Sequence, residues 1–244
     1  MATLMTAPKS AARMAATEKR GAKAAPKGAA AATPKGSKGA AGADKPVQVP
    51  ELRLRRVTIK LVGTSPVIVH AWDEKAKEQI RSTQQRQAKM KRAPKDPVAS
   101  ARACEYRDVS GKECLLALAF KSAIVSASRF VEGLPMTVLR GALFVDGQTT
   151  SERGEDLLYL KFKRKSVRED MVRVSNGKPD MRYRPQYEGW SVDLPIVFNE
   201  SVISIEQIVN LLRVAGFSVG VFEWRPERNG QSGRFDVADT VAVK

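Results

Sequence analysis

The chain is expected to fold as an α+β sandwich whose core elements run in the order βαββαβ. Three observations predict this. Apolar residues alternate strictly over 57–62 and 190–198, they recur at helical spacing over 119–131 and 204–215, and a break in composition near residue 46 sets a polar tail apart from the rest.

In chain order, Val57, Ile59 and Leu61 alternate with Arg56, Thr58 and Lys60, the period-two pattern of a half-buried strand. Gly63-Thr64-Ser65-Pro66 breaks it, and Val67–Val69 resumes an extended run. Asp73 is a candidate N-cap for a polar helix reaching about Met90, which Pro94 and Pro97 end. Glu113–Ala117 reads as a strand. Phe120, Ile124, Ala127 and Val131 then define a helix over 119–131, closed by Gly133. Val138–Val145 is expected to be the next strand, and 157–188 reads as strands with long, charged loops. Trp190, Val192, Leu194, Ile196 and Phe198 share one face of a strand. Pro195, which cannot donate to a ladder, places that strand at an edge or a bulge. Ser204 and Gln207 fit a capping box ahead of the stripe Ile205, Ile208, Val209, Leu212 and Ala215, with Gly216 at C′. Val219–Trp224 is expected as a strand, and Arg234–Val237 closes the fold. Two split βαβ units sharing one sheet make a ferredoxin-like sandwich, here with two large basic insertions; the alternative is another α+β pairing of the same elements.

Composition narrows the function. The 244 residues carry 42 Lys+Arg against 26 Asp+Glu, a net charge of +16. Residues 1–46 hold no Phe, Trp, Tyr, Ile or Val and are rich in Ala, Gly, Pro and Lys, so they cannot bury enough apolar surface to order themselves. Their nine Lys or Arg stand against Glu18 and Asp44, a net +7 that leaves +9 on a single domain over 47–244. The basic charge therefore belongs to the folded part as well, and points to a polyanionic partner. Two cysteines exclude a disulfide scaffold and suit a reducing, cytoplasmic setting. One histidine and two cysteines do not supply a zinc site, so no metal and no cofactor is expected. No apolar run is long enough to span a membrane, and no membrane partner is expected.

Candidate binding residues fall in three segments. The stretch 160–185 carries Lys161, Lys163, Lys165, Arg168, Arg173, Arg182 and Arg184 beside Tyr183. Cations near aromatic rings suit single-stranded nucleic acid, RNA or DNA, with phosphates on the cations and bases on the rings. Lys161, Lys163 and Lys165 are expected to form a row on one strand face. The segment 81–97 adds Arg86, Lys89, Lys91 and Arg92 on what reads as a projecting arm. The segment 216–235 carries Arg225, Arg228 and Arg234 in a Gly-containing loop, where backbone N–H groups can approach a phosphate. No catalytic group is assigned. His70, the only histidine, is the one candidate general base for an alternative role as a metal-independent endoribonuclease. A second alternative is genome packing through the basic tail.

The segments "LAFKSAIVSASRF", with Lys121 and Arg129 at its basic positions, and "VGVFEWRPERNGQSGRF" resemble motifs of the RAMP superfamily, the ferredoxin-like subunits and ribonucleases of CRISPR systems. The Pro-Gly-Ser start of the family's helix motif is absent. "VRVSNGKPDMRYRPQYEGW" and "EWRP" are also similar to proteins of tailed phages. The RAMP resemblance implies RNA contact at Lys121, Arg129 and the glycine-rich loop. It also implies a non-enzymatic subunit that assembles with copies of itself, as an oligomer or filament, along a single strand.

Overall fold

The computed structural model describes residues 51–72, 74–85, 94–173, 177 and 179–243. Its elements, in chain order, are β1 (Leu54–Gly63), β2 (Val67–Ile68), α1 (Glu74–Gln84), α2 (Pro97–Ala103), β3 (Tyr106–Arg107), β4 (Glu113–Leu116), α3 (Ala117–Ala127), α4 (Met136–Ala142), β5 (Leu143–Val145), β6 (Thr149–Thr150), β7 (Asp156–Tyr159), β8 (Arg164–Arg173), β9 (Pro179–Glu188), β10 (Ser191–Asn199), α5 (Ile205–Val214) and β11 (Phe235–Val243). The mixed α+β class is as expected. No helix among the described residues is long and apolar enough to cross a membrane.

The principal sheet has the order β11-β1-β10-β5, with every neighbouring pair antiparallel. Val57, Ile59 and Leu61 of β1 and Val192, Leu194, Ile196 and Phe198 of β10 are buried on its inner face. Alternation places them there, because successive side chains of a strand point to opposite faces. Helices α3 and α5 pack on that face with Phe120, Ile124, Ile208, Leu211 and Leu212. Phe120, Trp190 and Phe235 meet at ring-centroid distances of 5.9–6.4 Å, in the tilted geometries that aromatic quadrupoles favour. The Ser204–Gln207 capping box forms as read, with each side chain bonded to the other's backbone N–H.

Several boundaries differ from the sequence reading. The segment expected as a strand over 138–145 is mostly helix. Pro135 precedes α4, which buries Leu139 and Ala142 at i, i+3 spacing, and only Leu143–Val145 pairs with β10. Residues 219–224 form no strand. A π-turn, Ala215–Val219, runs instead into an irregular loop. Phe222 and Trp224 in that loop take positive φ (61° and 53°), which a pleated strand does not allow. The helix expected over 119–131 ends at Ala127 and tightens to a 3-10 turn at Ser128–Phe130. Pro97 does not merely stop a helix but starts one: it occupies the first turn of α2, and the Asp96 carboxylate caps the N–H groups of Val98 and Ala99. Strand β10 is central rather than an edge. Pro195 O accepts from Asp146 N, so the missing Pro195 donor points toward β5 just beyond its last paired residue, Val145. Residues 1–46, Asp73 and the arm residues Arg86, Lys89, Lys91 and Arg92 lie outside the described residues.

Two smaller antiparallel sheets complete the fold, β2-β9-β8 and β3-β4-β7-β6. In the first, β8 and β9 form a ten-pair hairpin in register from Arg164↔Glu188 to Arg173↔Pro179.

Candidate nucleic-acid interface

The register of the hairpin decides which charges meet. Arg168 lies opposite Arg184, and Asp170 lies opposite Arg182, all on the same face. Like charges directly across a ladder repel, so this face needs a counter-ion. Asp170 supplies it: its carboxylate accepts from Arg168 Nε at 2.9 Å, Arg184 Nη1 at 3.0 Å and Trp224 Nε1 at 3.3 Å. Arg184 is only 4% exposed, and its Nε has no partner. The Arg168 guanidinium sits 5.9 Å from the Trp224 ring centre, within cation–π range. Trp224 itself stays 42% exposed. Two arginines and an open indole thus share one carboxylate, with Arg182 across the ladder from it.

The glycine-containing loop delivers Trp224 to this face. It is locked to the segment after β1: Gly233 N donates to Pro66 O, and Thr64 N and Ser65 N donate to Arg234 O. Arg234 N donates to Ser65 Oγ. Within the loop, Val221 N donates to Gly233 O and Ser232 N to Trp224 O. The positive φ values at Phe222 and Trp224 are local strain held by these surrounding bonds, a pattern that concentrates at functional sites.

His70 and Glu223 close the site. Glu223 N donates to Ile68 O, and His70 Nδ1 lies 3.5 Å from Glu223 Oε1. The Cys104 sulfur and the Glu223 carboxylate hold the His70 pKa up at about 9, against the opposing effect of burial. The imidazole in turn keeps Glu223 below the usual carboxylate range, helped by Arg184. A pKa above neutrality favours the His70 imidazolium, in which both ring nitrogens carry protons. Its role here is a clasp between the β2 exit and the loop.

This gives a pH prediction. The His70 contribution is complete below the ordinary value of 6.5 and lost as pH rises through about 9. It also fades in acid, as Glu223 becomes protonated below its ordinary 4.5. His70→Ala should lower the denaturation midpoint most near pH 6 and leave it close to wild type above pH 9; an equal deficit at both pH values would exclude the clasp.

The remaining expected residues are placed less simply. The lysine row does not form. Lys161 sits in an isolated bridge to Ser191 and pairs with Asp193 at 2.8 Å. Lys163 lies at a bend before β8, and Lys165 turns toward Glu105 and Glu113 at the hairpin base. Neighbouring acids cancel two of the three charges. Arg225 bonds Glu227 and Phe222 O, and Arg129 pairs with the same Glu227. Lys121 lies over the Phe144 ring, 3.8 Å from its centre. Arg173 lies at the far end of β8, and Arg182 stands across from Asp170. Arg228 is exposed on the loop, and Arg234 keeps a buried Nε without a partner. Tyr183 lies opposite Glu169 on the other hairpin face, away from the arginines.

Asp170 and Trp224 are not among the residues expected from the sequence to build the site. Arg184 and Trp224 lie 14 and 54 residues from Asp170, so no local pattern marks the site.

No family model and no curated protein matches the chain. Solved structures do. One is a chain in the cryo-EM structure of the Type III-B Cmr-beta bound to cognate target RNA, with 10% identity, TM-score 0.42, and coverage of 78% of this chain and 60% of that one. Another is Cmr6 from Pyrococcus furiosus, with 11% identity, TM-score 0.38, and coverage of 77% of this chain and 100% of that one. The chain spans about 60% of the length of the first.

Proposed function

We propose that the chain is a non-enzymatic protein that binds single-stranded nucleic acid across the arginine face of the β8–β9 hairpin and the glycine-containing loop, and that copies assemble along the strand. One observation carries this reading: Arg168 and Arg184 hold a single carboxylate beside the half-open Trp224 ring, with Arg182 on the same face across the ladder. Cations that track phosphates next to a ring that stacks a base are the combination single strands require. Arg228, exposed on the loop, extends the positive surface, while Arg173 lies on the other hairpin face. The same reading takes the fold as ferredoxin-like. In its support, the principal sheet places the first strand next to the third and fourth, with α3 and α5 as the two crossovers. Residues 1–46 act as a basic tether.

Binding should weaken steeply with salt as counter-ions are released. Arg182→Ala should flatten the log–log salt slope by about 0.7 and weaken all sequences alike, since a phosphate contact carries no base information. Lys163→Glu should also weaken binding without altering sequence preference. Filter binding at two ionic strengths measures both effects, and salt-insensitive binding would remove the reading. Negative-stain images with and without an oligonucleotide test assembly; particles that stay single in both exclude it.

A further inference from the structure

A second concavity lies beyond the clasp. Trp72 is two positions after His70, at most about 7 Å of extended chain. Trp72 stands at a cleft of about 510 Å3, a volume in the range of ligand pockets. The indole is 62% exposed, unusual for the largest apolar side chain, yet its backbone is fixed. Ala71 N donates to Cys104 O at 2.8 Å, and Arg153 Nη1 donates to Trp72 O at 3.2 Å. Tyr106 adds a second ring to the cleft wall. Burial, then the Glu155 charge, raise the pKa of its phenol, so it stays a neutral O–H donor.

The charges of the cleft differ from those of the arginine face. Glu105 and Glu113 are matched by Arg107 and Lys165. Asp108 is occupied by the backbone N–H groups of Ser110 and Lys112. Glu152 and Arg153 also line the wall, as does Glu155, which accepts from Ser151 Oγ through Oε2 at 3.1 Å; four carboxylates against two arginines give the lining a negative balance in a strongly basic protein. Such a mouth repels phosphate. A flat, uncharged ring that presents N–H donors suits it, with an indole to stack on and carboxylates to accept.

We infer that the cleft is a base-receiving subsite: a nucleobase with an exocyclic amino group stacks on Trp72 and donates to Glu152 or Glu155, while its phosphates stay on the arginine side. The inference rests on the nucleic-acid reading above and adds a preference that the arginine face alone does not supply. Adenine and cytosine are favoured over uracil, which offers carbonyl oxygens where the others carry amino groups.

The test uses the full chain with labelled A, C and U homopolymers and, separately, free adenosine followed by quenching of tryptophan fluorescence. The A and C strands should bind about tenfold more tightly than U. Trp72→Ala should cost about tenfold on A and C, with Trp72→Phe recovering most of it. The double change Glu152→Gln and Glu155→Gln should narrow the gap between A and U without altering the salt slope. Adenosine should quench wild type but not Trp72→Ala. Equal affinity of wild type and Trp72→Ala for A strands, or a preference that survives the glutamine changes, overturns the subsite and leaves the arginine reading standing. Adenosine quenching without strand binding supports the cleft and removes the arginine reading. Neither signal removes both.

Discussion

Gly233→Ala is expected to lower the thermal midpoint by roughly 10 °C and to release Trp224 from the arginine face. Gly233 has φ +68°, and a Cβ there would stand 1.9 Å from Val221 O. The backbone conformation alone costs an L-residue about 1–2 kcal/mol. Relief of the overlap requires the chain to move, and two bonds depend on its position: Gly233 N to Pro66 O at 2.8 Å, and Val221 N to Gly233 O at 2.9 Å. Losing both adds about 1 kcal/mol each. A loss of about 3–4 kcal/mol is a large part of the stability of an ordinary domain, and each kcal/mol moves the midpoint of a chain this size by about 2–4 °C. Gly133→Ala is the control. Its φ is also positive, +79°, but nothing lies within 4 Å of its Cβ, so only the conformational cost applies. Equal midpoints for the two variants, read by circular dichroism, would mean that the loop is not locked as described.

The contrast between what the sequence reveals and what it hides follows from where each determinant lies. Strands β1 and β10 are legible because one face is buried and the other open, so period two survives in the residues. The α5 cap is legible because its determinants, Ser204 and Gln207, are three residues apart. The helix α4 is hidden because one short segment with apolar residues at 138, 139 and 142–145 fits either period. The loop at 219–224 is hidden because Val219 and Val221 alternate like a strand, while the contacts that bend the chain come from Pro66 and Gly233. Charge is the least legible feature. Lys161, Lys163 and Lys165 look like a row only if they lie in one strand, and the partners that cancel two of them, Asp193, Glu105 and Glu113, are 32 or more residues away in sequence. The net charge of the folded part survives this cancellation, but its location does not.

Asp170 tests that location, because its removal acts on stability and on affinity in opposite directions. Asp170→Ala leaves Arg184, 4% exposed and near the His70 imidazolium, without its carboxylate. Breaking a buried ion pair by removing one partner typically costs about 3–5 kcal/mol, because the other charge stays buried and unpaired. The thermal midpoint should fall by roughly 10 °C or more. Arg184→Met in the same chain removes the stranded charge, so the double variant should be more stable than Asp170→Ala alone. That non-additivity separates an electrostatic cost from a packing defect, which would add. Below its melting range, Asp170→Ala should bind a single strand several-fold more tightly than wild type, with a steeper salt dependence. The carboxylate competes with phosphate for Arg168, and its loss releases that guanidinium toward the strand while Arg184 stays buried. A variant that is destabilised but binds no better would move the strand off this face. One that keeps both its midpoint and its affinity would show that Arg184 finds water where the structure buries it.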